Sequence, residues 1–146
     1  MIMKTKMNIK TVTKEEYQAL LEQDNIPVLV SLFSSDQDVS MEANKPNVSI
    51  MNLGNVYFRS MPVGDGPHYV MTEKNTIHNV VAVTAENKED IINSEAMYVC
   101  LTKINTIFSG MKIAIVLQNV SNIYDDFLIS ILETRLSKIP EITLIR

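Results

Sequence analysis

At 146 residues the chain has the length of one domain, enough to bury a single core and too short for two, so residues 1–146 are read as one domain. With 46% apolar and 21% charged residues it falls outside the disordered, collagen-like and coiled-coil classes. A net charge of -4 excludes nucleic acid or anionic lipid as a partner held by bulk charge, and no apolar run approaches the roughly 18 residues of a membrane-spanning helix. Cys100 is the only cysteine, which rules out an internal disulfide. Lysines interrupt the first residues too often for a signal-type apolar core, so the expected location is the cytoplasm. Lys4, Lys6, Lys10 and Lys14 form the one basic cluster, read as a solvated edge.

In chain order, Asn8 to Val12 is a first strand candidate. Thr13 with Glu16 three positions on forms a capping box that opens a helix from Lys14 to Gln23, with Tyr17, Leu20 and Leu21 as its core stripe. Ile26 to Phe33 is almost continuously apolar, as expected of a strand covered on both faces. Ser34 to Asn47 is a polar loop. Val48 to Met51 and Val56 to Arg59 are short strand candidates around Leu53-Gly54-Asn55, and Pro62 to Pro67 reads as a surface loop. The segments His68 to Glu73 and Thr76 to Thr84 flank Lys74-Asn75 and predict a hairpin.

Ser94 caps a helix running to about Ser109, with Met97, Cys100, Leu101, Ile104, Ile107 and Phe108 on its stripe and Gly110 as its stop. Met111 to Gln118 is another apolar strand. Asn122 and Asp125 begin a further helix with Tyr124, Phe127, Leu128, Ile131, Leu132 and Leu136 facing inward, and Pro140 separates it from a last strand, Ile142 to Ile145. Apolar strands joined by helical crossovers imply parallel pairing, hence a three-layer α/β/α sandwich with a mixed, mostly parallel sheet.

Chemistry is sparse in this pattern. The predicted hairpin places His68 and His78 on opposite sheet faces, and neither HExxH spacing nor a cysteine pair is present, so no metal site is expected. Cys100 sits on a core stripe and reads as structural rather than nucleophilic. Ser34, Ser35 and Ser121 lie in loops without a GxSxG setting, and four glycines supply neither GxGxxG nor a P-loop. No catalytic residue and no cofactor are assigned. Asp36 with Asp38 follows a central strand, while Asp125 with Asp126 complements a helix dipole.

From Leu53-Gly54-Asn55-Val56 onward the wording resembles the macrodomain family, especially its compact phage and bacterial members. The resemblance runs through Thr76 to Val83, Glu95-Ala96-Met97-Tyr98-Val99-Cys100-Leu101-Thr102-Lys103-Ile104 and Lys112-Ile113-Ala114-Ile115. Ser121-Asn122-Ile123-Tyr124-Asp125 is similar to the family's ligand loop, and Phe127 to Ile145 to its closing helix and strand, about the last 90 residues in all. The resemblance implies a macrodomain-like fold and binding of ADP-ribose or a related nucleotide. The implied pocket lies between Ser34, Ser35 and Asp36 on one side and Asn119, Ser121, Asn122, Ile123 and Tyr124 on the other. Backbone amides near Ser121 and Asn122 would face an anion, with Ile123 or Tyr124 against a sugar or base.

Asn122 and Asp125 stand where the family has glycines. Asparagine still reaches the left-handed region, but a carboxylate beside a diphosphate is expected to repel it by about 1 kcal/mol or more. The family's Asn-rich catalytic segment and glycine loop have no counterpart in Ser34 to Asn47. The expected function is therefore a binding module without robust catalysis. The alternative is a degenerate scaffold that acts on a protein partner as an inhibitor or regulator, and an enzyme with a rearranged site ranks last.

Overall fold

The computed structural model describes residues 8–23, 28–34, 53–62, 76–117 and 120–146. Strand β1 spans Asn8–Val12 and helix α1 spans Lys14–Gln23, at the boundaries the sequence predicts. The reason is local: the Thr13 hydroxyl accepts from the Glu16 amide at 3.1 Å while the Glu16 carboxylate accepts from the Thr13 amide at 3.1 Å. Two amides that the first helical turn leaves open are thereby satisfied reciprocally.

Strand β2 spans Val28–Ser34 and is buried along its whole length, as its apolar composition requires. Then follow β3 (Val56–Pro62), β4 (Thr76–Ala85), α2 (Glu95–Ile107), β5 (Ile113–Val116), α3 (Asp125–Arg135) and β6 (Glu141–Ile145). The six strands form one sheet in the order β1-β6-β5-β2-β4-β3. All neighbours are parallel except β3, which runs antiparallel to β4.

The predicted hairpin is corrected here. β4 takes β3 on one edge, with Ser60 opposite His78, and β2 on the other, with Val28 opposite His78, so no edge is left for 68–73 over that stretch. Residues 68–73 themselves, the Val48 to Met51 candidate and His68 lie outside the described residues.

Strand alternation divides the side chains between two layers. Val28, Val30, Leu32, Val80, Ala82, Ile113, Ile115, Ile142 and Leu144 pack with Met97, Leu101 and Ile104 of α2 and Leu128 and Leu132 of α3. On the opposite face Val12, Leu29, Ala114, Val116 and Ile145 pack with Tyr17 and Leu20 of α1. Helices thus cover both faces of the sheet, in the α/β/α arrangement. Among the described residues no helix is long and apolar enough to cross a membrane.

The Ser94 hydroxyl accepts from the Ala96 amide at 3.1 Å, capping α2, and Gly110 stops the chain in the left-handed region at φ 81°. Ser94→Ala is expected to lower stability by about 1 kcal/mol, read as a shifted urea midpoint at constant slope. An unchanged midpoint would show that the cap contributes nothing. Two predicted stripe positions face outward instead: Ile107 is 45% exposed and Phe127 is 43% exposed. Each lies at the flank of its stripe, where a residue one position off the seam satisfies the same spacing but misses the core. Of the other stripe residues, Tyr124 is half-buried and Met97, Cys100, Leu101, Ile104, Phe108, Leu128, Ile131, Leu132 and Leu136 are buried. A guanidinium-on-ring contact, Arg135 at 4.6 Å from the Tyr98 ring centre, ties α3 to α2.

Candidate functional site

Open parallel sheets hold ligands outside the carboxyl ends of their strands, where successive connections leave in opposite directions. Here the chain leaves β2 toward β4 and β3, whereas it leaves β5 toward β6 on the other side. β2 and β5 are neighbours, with Ser31 opposite Val116, so the switch point falls between the end of β2 and the loop that follows β5. These are the two segments that the sequence pairs as a pocket.

Ser34 is the last residue of β2 and is buried, following a register shift between Phe33 and Ser34 against β4. Ser35, Asp36 and Asn119 lie outside the described residues. In the loop after β5, Val120 donates its amide to the Leu117 carbonyl at 3.0 Å, and Tyr124 donates to the Ser121 carbonyl at 3.2 Å. Asn122–Tyr124 form a single 3-10 turn that leads into α3, so the regular helix begins at Asp125 rather than at Asn122. Ser121 is exposed. Ile123 is 82% exposed, whereas Tyr124 is half-buried against the main core. Of the two side chains expected to meet a sugar or base, Ile123 is the one that stands free at the surface.

Arg146 completes this edge. Its backbone amide donates to the Val12 carbonyl at 3.0 Å, extending the β6 pairing onto β1 by one residue. Its guanidinium donates to the Val120 carbonyl at 2.6 Å and to the Ser121 carbonyl at 3.4 Å, and it forms an ion pair with the Asp125 carboxylate. The carboxylate that the sequence presents as a source of repulsion therefore has its own counter-charge. No local signal marks Arg146, because its partners lie 21 to 26 residues away along the chain.

The same edge continues beyond β4. The Gly54 amide donates to the Val83 carbonyl at 2.8 Å, and the Val83 amide donates to the Asn55 carbonyl at 3.0 Å. Lys103 Nζ then donates to the Gly54 carbonyl at 3.1 Å and to Asn55 Oδ1 at 2.7 Å, fixing the turn to α2. Gly54 has φ 83°, a conformation that side chains disfavour, which accounts for glycine at this turn. Grooves of about 540 Å³ and 310 Å³ flank the turn, the first lined by Asn55, Ala96, Val99 and Lys103, the second by Glu86, Asn87, Asp90 and Asn93. The sequence marks Leu53-Gly54-Asn55 only as a turn between strands.

Cys100 is fully buried, with Sγ 3.5 Å from the Val83 carbonyl and 3.6 Å from the Asn55 carbonyl. Burial pushes its thiol up to about 12, so it carries no thiolate at neutral pH and its role is packing. His78 faces α2, its ring 5.6 Å from that of Phe108. Among the described residues no three His, Cys, Asp or Glu side chains come together to hold a metal ion. Lys10 and Lys112 both pair with Glu141 at 3.4 Å, at the opposite end of the sheet from the crevice.

Fold and site together define an open-sheet α/β protein with an arginine-held loop beside its switch point. No family model matches the chain, and no curated protein and no solved structure matches it.

Proposed function

We propose that this protein is a macrodomain-like binding module that holds a nucleotide or ADP-ribose-like ligand between the carboxyl ends of β2 and β5, without robust catalysis. The observation that carries the reading is the placement of the loop 120–124, whose wording resembles a diphosphate-wrapping loop, at the switch point of a mostly parallel sheet. The pairing of Asp125 with Arg146 removes the main electrostatic objection to an anionic ligand there. Backbone amides at Ser121 and Asn122 would meet the diphosphate, and Ile123 would cover a sugar or base from the rim.

Calorimetry with ADP-ribose, NAD and cyclic nucleotides tests this. Binding of at least one, with a matching thermal shift, is the expected result. No heat and no shift at millimolar ligand overturns the reading.

One observation favours a second reading, in which the scaffold acts on a protein partner. Ile123 and Phe127, four positions apart on a continuous helical stretch, are both exposed apolar side chains. Affinity capture from the native host distinguishes the two: a stoichiometric partner lost in Ile123→Asp supports protein contact, and its absence counts against it.

A further inference from the structure

We propose that Arg146 is the positioning residue of the loop 120–124: it draws the Val120 and Ser121 carbonyls to one side of the loop, turns the Ser121 and Asn122 amides to the other, and offsets the Asp125 charge. This deepens the nucleotide-binding reading and rests on it.

The argument starts from the peptide unit. The chain has no cis peptide bonds among its described residues, and in a trans unit the carbonyl of one residue and the amide of the next point in opposite directions. The Val120 carbonyl meets the guanidinium at 2.6 Å and the Ser121 carbonyl meets it at 3.4 Å. The amides of Ser121 and Asn122 therefore point away from Arg146. Two successive amides aimed to one side form the kind of concavity in which backbone donors hold an anion.

The same guanidinium performs the electrostatic step. Asp125 opens α3 directly after the loop, and its carboxylate pairs with Arg146. Without the arginine, the loop would present an uncompensated negative charge beside the outward amides. With it, the Asp125 charge nearest the loop is offset, and the amide dipoles face a ligand without that repulsion. A planar fork with several donors suits a task that joins two carbonyls and a carboxylate, and an ammonium on a flexible stem does not. The Arg146 Nε is buried without a hydrogen-bond partner among the described residues.

Amide hydrogen exchange and calorimetry on the full chain test the proposal in Arg146→Met, Arg146→Lys and Asp125→Asn. In Arg146→Met, exchange at the Val120 and Tyr124 amides, which close the loop, is expected to accelerate by about tenfold or more, with Ala114 and Ile115 in β5 unchanged. ADP-ribose affinity falls by about tenfold in the same variant, Arg146→Lys falls between, and Asp125→Asn retains or gains affinity. Loop exchange that stays native in Arg146→Met overturns the clamp. So does acceleration shared equally by the β5 amides, which makes Arg146 a general stabiliser. Native ADP-ribose affinity in Arg146→Met overturns it as well. If the native chain binds no ADP-ribose, the function proposed above falls, and the exchange measurement alone decides whether Arg146 holds the loop.

Discussion

Tyr17→Ala is expected to lose about 3–5 kcal/mol of stability, whereas Tyr17→Phe keeps native stability or gains about 1 kcal/mol. Tyr17 is fully buried and packs with Val12, Leu29, Ala114, Val116 and Ile145, the cluster that joins α1 to its face of the sheet. Removing the ring leaves a cavity lined by four strands, and β-strand backbones collapse into such a space only partly. The hydroxyl is a separate matter. It is buried without a hydrogen-bond partner among the described residues, so it carries a desolvation penalty with no return, and phenylalanine removes that penalty while keeping the ring. Urea unfolding of both variants reads the two effects independently. A loss under about 1 kcal/mol in Tyr17→Ala would show that α1 is held elsewhere, and a loss above that in Tyr17→Phe would reveal a partner for the hydroxyl.

The second large effect is alkaline. Burial pushes the Cys100 thiol up from 9.0 to about 12, against a smaller downward pull from the Lys103 ammonium, and burial also pushes the Tyr17 phenol above its ordinary 10.0. Folded protein therefore keeps protons that the unfolded chain releases at lower pH. Stability from these groups is fully present below about pH 9, where both states are protonated, and is lost as pH rises from there toward 12 for the thiol and from 10 upward for the phenol. Each group steepens the decline by about 1.4 kcal/mol per pH unit inside its window. Urea midpoints measured between pH 7.5 and 11 are expected to fall, with a shallower fall in Cys100→Ala and, above pH 10, in Tyr17→Phe. Parallel slopes in native protein and both variants would show that these groups are not the cause.

What the sequence discloses and what it hides follow the range of the interactions involved. β1 and α1 are legible to the residue because the Thr13 and Glu16 cap is a contact between positions three apart. β2, β5 and β6 are legible because strands covered on both faces need apolar residues at every position. The partner of β4 is not legible in the same way. Lys74-Asn75 is a strong local turn signal, but the antiparallel partner is β3, fixed by a register from Val56 and Ala82 to Pro62 and Thr76. Ile107 and Phe127 show the same limit in helices, where spacing finds the stripe but not its edges.

At the switch point, the loop between the strand ending near Gln118 and the helix start near Asn122 is readable from the sequence, and its place beside the end of β2 follows once the strand order is known. The electrostatic balance is not. Asp125 reads as a repulsive neighbour because its counter-charge comes from a residue 21 positions later, brought back by the closing strand. Lys103 reaches Gly54 and Asn55 across 49 and 48 positions, and sequence gives only the turn, not the lysine that fixes it.

The strand order also bears on how the molecule behaves when crowded against copies of itself. β1 and β3 are the outer strands, so any addition of a further strand among the described elements has to begin there. β3 ends at Pro62, which has no amide to offer. β1 carries Lys10, held along that border by Glu141 of the adjacent strand. A charge on the one border and a proline at the end of the other make poor templates for edge-to-edge growth.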